Sequence, residues 1–475
     1  CETQVGQGIT TEVMGNCGYS PFPLMANNRG LLLDPPGVEV PWSTAVEYFR
    51  VAGDRGAGIN GVPQVGHLTL RQAVLNGEDR PATSAEIGQM KGHVRDAMEA
   101  GARGLSSGLD YEPTTASDLD EVVDLVKVAV EYGGFYSSHI RGYSWNVLNA
   151  VAETLEVGRR TGATIQISHL HIYGRKHWGW MHRVLDLMDR AREDGVRVAC
   201  DMMPYPTSGA WWSPRAILPP EVYNWKKTWA ENLPELEALL RDPRKRAELK
   251  AEIEVRRTQP KRGFHEEFSI FGDWRDIHIV ELPSASPRRE LVGLDMAAAA
   301  EVVGQDPCDL YFDMILEEGE EFGAICSPFD EQDLRALMSD QWTLFGTDAV
   351  GSSVARLAEP WNTIQPHRRH TGTFPRVLAK FVRDEGLLEI GGAIRRMSGL
   401  AADHLGLEGR GYIREGGQAD LVVVDLEGVD ERGTWRLPSV YPIGIDEVFV
   451  NGVQAVSKGE FTGELAGRIL TRPGC

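Results

Sequence analysis

The stretch Gly8-Ile9-Thr10-Thr11-Glu12-Val13-Met14-Gly15-Asn16-Cys17-Gly18 decides how the chain is read. β-Branched and apolar residues running into a glycine-rich turn predict a buried parallel strand that ends at a thiol. A lone buried cysteine is by default a small hydrophobe filling a gap. Cys17, however, sits at the carboxyl end of its strand, where α/β barrels carry their chemistry, and this makes it a candidate functional residue.

Outward from that stretch the chain repeats strand and helix. Further strands are predicted over 59–67 (INGVPQVGH), 103–109 (RGLSSGL), 135–141 (FYSSHIR), 163–171 (ATIQISHLH), 196–205 (VRVACDMMPY) and 343–348 (TLFGTD). Helices are predicted over 84–100, where Thr83 or Ser84 supplies a cap and Glu86 lies in the first turn, and over 145–161 and 178–194. Over 117–132 the apolar residues Leu119, Val122, Val123, Leu125, Val126 and Val130 recur at helical spacing. Such alternation means a parallel sheet covered by helices. Counted from Cys17 there are seven units, one short of a closed eight-stranded barrel.

Two regions break the rhythm. Residues 206–342 are too long for a connection and read as an insertion covering a site; they carry Trp211, Trp212, Trp225 and Trp229, a charged helical stretch over 234–257 and the strand-like IHIVEL. After about Gly406 the chain turns strand-rich, with Gly411 to Leu426 and Ile445 to Leu470 joined by turns such as Asn451-Gly452. The expected organisation is therefore a barrel over 1–405, including the 206–342 insertion, and a small β subdomain over 406–475.

The chain has 475 residues, with 49 Lys and Arg against 69 Asp and Glu, a net charge of -20. That surface repels phosphate backbones and anionic lipid, which argues against nucleic-acid and membrane partners. No apolar run approaches a membrane span. The six cysteines show no CxxC pair or disulfide-like spacing, which fits a reducing compartment and a cytoplasmic location. The sequence opens at Cys1 without a Met, and we expect an amino-terminal piece to lie outside it.

Four predicted strands end in a group able to bind or serve a metal: Cys17, His139, His169 and Asp348. Carboxyl ends of barrel strands converge on one mouth. A thiolate and two imidazoles are three ligands of the kind zinc accepts at a catalytic site with one open position. The soft thiolate favours zinc over magnesium or calcium. An aspartate beside such a site suits proton transfer.

The segments QGITTEVMGNCG, SSGLDYEP, GGFYSSHIR, ISHLH, DMMPY, FGTDA and GTFPRVLAKFVR, in this order, resemble the N-acyl-D-amino-acid deacylases of the amidohydrolase superfamily, and GYIREGGQADLVVVD resembles that superfamily's strand-rich ending. The resemblance implies a TIM-like (β/α)8 metal-dependent hydrolase barrel whose first strand is missing here, with a small β subdomain. It implies zinc as cofactor, held by Cys17, His139 and His169, the two histidines lying 30 residues apart, and it implies Asp348 as the catalytic aspartate. Tyr205, in the Asp-x-x-Pro-Tyr segment, falls on the substrate-orienting tyrosine. Arg369, with Arg368 beside it, falls on the arginine that grips the substrate carboxylate. A guanidinium suits that task because it donates two parallel hydrogen bonds.

The sequence departs from the family pattern twice. No His-x-His strand precedes Cys17, which fits truncation and predicts a Cys-His-His site in an open barrel. His171 stands where the family commonly has Lys, and is expected to help hold the substrate carboxylate. The implied activity is hydrolysis of the amide bond of N-acyl-D-amino acids. The alternatives are another amidohydrolase, such as a cyclic amidase or dipeptidase, and an inactive metal-binding homologue. Cyclic substrates would not require Arg369. A purely structural zinc site prefers four protein ligands and needs no base, so Asp348 argues against the inactive reading.

Overall fold

The computed structural model describes residues 1–31, 40–207, 214–219, 221–224, 227–258, 272–327, 329–359, 367–472 and 474. Strands β1 (Thr11–Met14), β2 (Asn60–Gly66), β3 (Gly104–Gly108), β4 (Phe135–His139), β5 (Ile165–Ile167) and β6 (Val198–Met202) are followed by β7 (Ile277–Glu281), β8 (Gly323–Cys326) and β9 (Thr343–Phe345). One curled sheet takes seven of them in the order β1-β2-β3-β4-β5-β6-β9, every neighbouring pair parallel. The seven predicted strand-helix units are these seven strands, and β1 and β9 form the two edges.

The covering helices form where the apolar spacing predicts them. Over Leu119–Glu131 the residues Val122, Val123, Leu125 and Val126 are buried, and the Asp118 side chain accepts from the Glu121 amide to cap the start. At Ser84–Glu99 the cap is Thr83, in a reciprocal capping box with Glu86. Helices Val147–Thr161 and Met181–Glu193 close their units on the same side. Together these faces and the strands between them make one apolar core that includes Met90, Tyr136, Val151, Ile165, Met188 and Cys200.

β1 departs from the buried strand that its sequence predicts. It pairs only with β2 and Val13 is 38% exposed, because an edge strand has one neighbour and an uncovered flank.

Residues of the 206–342 excursion have their own core, in which Leu236, Ile277, Ile279, Tyr311, Phe312 and Ala324 are buried, with β7 and β8 pairing antiparallel. The charged stretch over 234–257 is two helices, Trp229–Leu240 and Pro243–Thr258. The break falls at Asp242, whose carboxylate accepts from the amides of Arg244 and Lys245, with Pro243 at the first helical position, where a missing N–H costs nothing. Trp229 packs near Tyr223, while Trp211, Trp212 and Trp225 lie outside the described residues.

Near the carboxyl end β10 (Leu421–Val424), β11 (Ile445–Val450), β12 (Val453–Ser457) and β13 (Glu460–Phe461) form an antiparallel sheet. Asn451 and Gly452 both have positive φ, 50° and 83°, as a two-residue hairpin turn between β11 and β12 requires. The core of this sheet joins Val429, Val448 and Val456 to Val5, Ile59 and Leu378, so it is fused to the start of the chain. No helix among the described residues is long and apolar enough to cross a membrane.

Candidate metal and substrate site

The turn carrying Cys17 is held by hydroxyls from three neighbouring strands. Ser106 Oγ donates to the Gly15 carbonyl and accepts from the Gly18 amide. Ser137 and Ser168 both donate to Asn16 Oδ1, at 2.9 and 3.2 Å. The serines one or two places before Gly108, His139 and His169 therefore fasten the Cys17 turn over the sheet. A Cβ at Gly108 would come within 2.3 Å of the Cys17 carbonyl oxygen, so only glycine lets the turn seat there.

Seated in this way, Cys17 meets the ends of β4 and β5. Its Sγ lies 3.2 Å from His169 Nε2, and His139 Nδ1 lies 3.0 Å from the same nitrogen. One ligand atom from each of Cys17, His139 and His169 falls within 4.8 Å of the others, a group able to hold one cation. His139 and His169 are buried.

Cys17, His169 and Asp348 are also three of the six described non-glycine residues with positive φ, at 53°, 34° and 47°. Backbone strain of this kind concentrates at functional sites, where the surroundings hold it. For His169 the holding group is Asp201 of β6: its Oδ1 accepts from the His169 amide at 2.8 Å, while its Oδ2 accepts from Gln166 Nε2 at 2.6 Å.

The electrostatics suit a cation. Burial pushes the Cys17 thiol up, and the Asp348 and Asp201 carboxylates add to this. Burial pushes His139 down, helped by His169, so its imidazole is neutral as a ligand must be. Its Nε2 is buried without a hydrogen-bond partner. Neighbouring carboxylates, the neutral imidazole of His139 and a thiol that needs a cation to ionise fit zinc.

Asp348 follows β9 and faces Arg369, whose Nη1 donates to its Oδ2. Burial alone would raise the Asp348 carboxyl, but Arg369, with His169 and His171, outweighs it and holds the group below its ordinary value. Arg369 is itself 1% exposed and its Nε has no partner.

The nitrogens of His171 face the carbonyls of His169 and Met203, at 3.1 and 3.2 Å, and its ring lies 4.1 Å from that of Phe329. Burial pushes it down to about 4, so at neutral pH it is uncharged, donates from one ring nitrogen only, and carries no cation for a carboxylate. Tyr205 is buried and donates its hydroxyl to Glu431 Oε2 at 2.8 Å. Arg368 lies over the Tyr205 and Trp435 rings.

Three groups escaped the sequence reading. Tyr111 Oη is 2.9 Å from His139 Nδ1, within the quoted SSGLDYEP segment. Asp201 opens the DMMPY segment, in which only the tyrosine had been singled out. Glu431 lies 226 residues beyond Tyr205, and no local signal marks it.

Helices wrapped outside a curled parallel sheet, with thiol, imidazole and carboxylate gathered where its strands end, define a metal-dependent hydrolase of the α/β-barrel class. The sequence model of the Amidohydrolase family matches residues 59–456, and the chain belongs to that family. It is 32% identical to the N-acyl-D-glutamate deacylase of Alcaligenes xylosoxydans xylosoxydans over 480 residues, 99% of this chain and 82% of that protein. It superposes on a crystal structure of a D-aminoacylase with a TM-score of 0.74 and 28% identity, covering 99% of this chain and 84% of that one. On the N-acyl-D-glutamate deacylase of Bordetella bronchiseptica, complexed with zinc and a phosphonate inhibitor that mimics the tetrahedral intermediate, the TM-score is 0.72 at 28% identity, with 99% and 84% covered.

Proposed function

We propose that this chain is a zinc-dependent deacylase that hydrolyses the amide bond of N-acyl-D-amino acids, releasing a carboxylate and a free D-amino acid. The observation that carries the reading is the convergence of Cys17, His139 and His169 with the Asp348–Arg369 pair beside them. Its relatives named above act on the same class of small molecule.

Cys17, His139 and His169 would hold the zinc. Bound there, zinc supplies Lewis acidity toward the scissile carbonyl and toward the attacking water. Asp348 accepts the proton of that water at Oδ1, the oxygen that Arg369 leaves open, and returns it to the departing amine. Arg369 holds the free carboxylate of the substrate and so fixes which face of the α-carbon is presented. Tyr205 lines the substrate side, while His171 shapes it as an uncharged wall. The 206–342 excursion closes over the mouth, a reading supported by the contact of its Phe329 with His171 and Tyr173. The cysteines described are all free thiols, which supports work in a reducing, cytoplasmic setting.

The test is release of free amine from N-acetyl-D- and N-acetyl-L-amino acids by the zinc-loaded chain. Release from the D series alone is expected. Equal release from both hands, or turnover of cyclic amides with none of the linear ones, would overturn the reading.

A further inference from the structure

Glu431 lies in the carboxyl-terminal region, between β10 and β11, yet its side chain reaches the mouth of the large sheet and is largely enclosed there, 9% exposed. Its Oε2 accepts from the Tyr205 hydroxyl, and its Oε1 accepts from Arg376 Nη1 and lies 3.6 Å from Arg368 Nη1. Arg376 is fixed in turn by donating from Nε to the Pro204 carbonyl at 2.7 Å, the residue just before Tyr205. The guanidinium carbons of Arg368 and Arg376 lie over the Tyr205 ring at 5.4 and 4.8 Å.

The surroundings are shaped for this contact. A Cβ on Gly372 would lie 3.0 Å from Glu431 Oε2 and 3.1 Å from the Tyr205 hydroxyl, so glycine at that point of helix Arg369–Arg376 leaves room for both. The loop that carries Glu431 is anchored just beyond it. Trp435 stacks flat on His278 of β7, with centroids 4.4 Å apart, and Arg436 donates to the Glu290 carbonyl.

From these contacts we infer that Glu431 is a positioning residue: it accepts the hydrogen bond of the Tyr205 hydroxyl and offsets the charges of Arg368 and Arg376. It thereby fixes the angle at which Tyr205 meets substrate and leaves Arg369 as the guanidinium of this cluster that faces Asp348. A charge-assisted bond from a phenol to a buried carboxylate is short and directional, which is what positioning requires. The carboxyl-terminal β region is in this way a working part of the site. The kinetic consequence rests on the deacylase reading, whereas the Glu431–Tyr205 contact does not.

The experiment compares wild type, Glu431→Ala, Glu431→Gln, Tyr205→Phe and the double variant Tyr205→Phe/Glu431→Ala, all as the zinc-loaded full chain. Glu431→Ala is expected to lower kcat/KM for N-acyl-D-amino acids by about 10- to 100-fold with zinc content unchanged. Glu431→Gln, which keeps an acceptor oxygen, loses less. In the Tyr205→Phe background Glu431→Ala adds almost no further loss, because the two act as a unit. Independent additive losses, or zinc lost together with activity, would mean that Glu431 is merely structural.

A second readout stands without turnover. The absorption difference between each protein and its Tyr205→Phe counterpart isolates the Tyr205 phenol, and that band moves to shorter wavelength when Glu431 becomes Ala. An unmoved band would overturn the inference. Should wild type hydrolyse no N-acyl-D-amino acid, the deacylase reading falls, and this spectral comparison still decides the role of Glu431.

Discussion

Arg369 donates from Nη1 to the carboxylate of Asp348, and the same nitrogen lies 2.9 Å from Sδ of Met203. The group read as the grip for the substrate carboxylate thus already holds the group read as the proton acceptor. Because Arg369 pulls the Asp348 carboxyl below its ordinary value against the pull of burial, Asp348 stays ionised down to acid pH and loses its charge only as pH falls through that lowered value. Arg369→Ala is therefore expected to move the acid limb of the kcat profile to higher pH, since burial is then opposed only by His169 and His171. It also raises KM for N-acyl-D-amino acids at least tenfold, with less effect on the matching carboxamides, which lack the anion. The pH dependence of hydrolysis for both substrates measures the two effects separately.

Cys17 and Asp348 are expected to fail differently. Cys17→Ala removes one of three ligand atoms and lowers zinc content, whereas Asp348→Asn keeps the metal and lowers kcat by about 10²- to 10⁴-fold, the range for a lost general base. Elemental analysis beside steady-state rates distinguishes them, and zinc loss in Asp348→Asn would contradict the role assigned to it.

Asp201 is the support of His169. With its Oδ1 on the His169 amide and its Oδ2 on Gln166, it holds a proposed metal ligand whose φ is 34°. Asp201→Ala is expected to weaken zinc binding by about 10- to 100-fold, the usual cost of losing an outer-shell partner. Titration with zinc against a competing chelator reads this directly.

Stability has its own weak point away from the metal. Arg71, 0% exposed, donates to both oxygens of Glu121, which also pairs with His67 Nε2 at 2.8 Å. Glu121→Ala strands a buried guanidinium and is expected to cost about 3–5 kcal/mol. Urea unfolding at neutral pH, with an unchanged slope, measures it.

What the sequence made legible follows from what is local. Strand and helix periodicity located β2 to β6 and β9 within a few residues, and the Thr83–Glu86 cap was visible because capping is a three-residue affair. Cys17, His139 and His169 could be brought together before the structure because parallel strands end on one side of their sheet. The half-exposed state of β1 was not readable from its apolar run, since burial depends on what lies alongside a strand and not on the strand itself. The pairing of Tyr205 with Glu431, 226 residues on, has no periodic or spacing signal. His171 could be numbered from sequence, but its loss of charge depends on burial in the fold, which outweighs the opposing pull of the His169 and Met203 carbonyls.

The central claim is that three side chains hold one zinc and that hydrolysis depends on it. The most direct test is zinc per chain by elemental analysis, for wild type and for the Cys17→Ala, His139→Ala and His169→Ala variants, measured on the same samples as hydrolysis of N-acetyl-D-amino acids. About one zinc is expected in wild type and little in each variant, with activity falling in step with the metal. Full zinc content in the variants, or activity untouched by its removal, would contradict that claim.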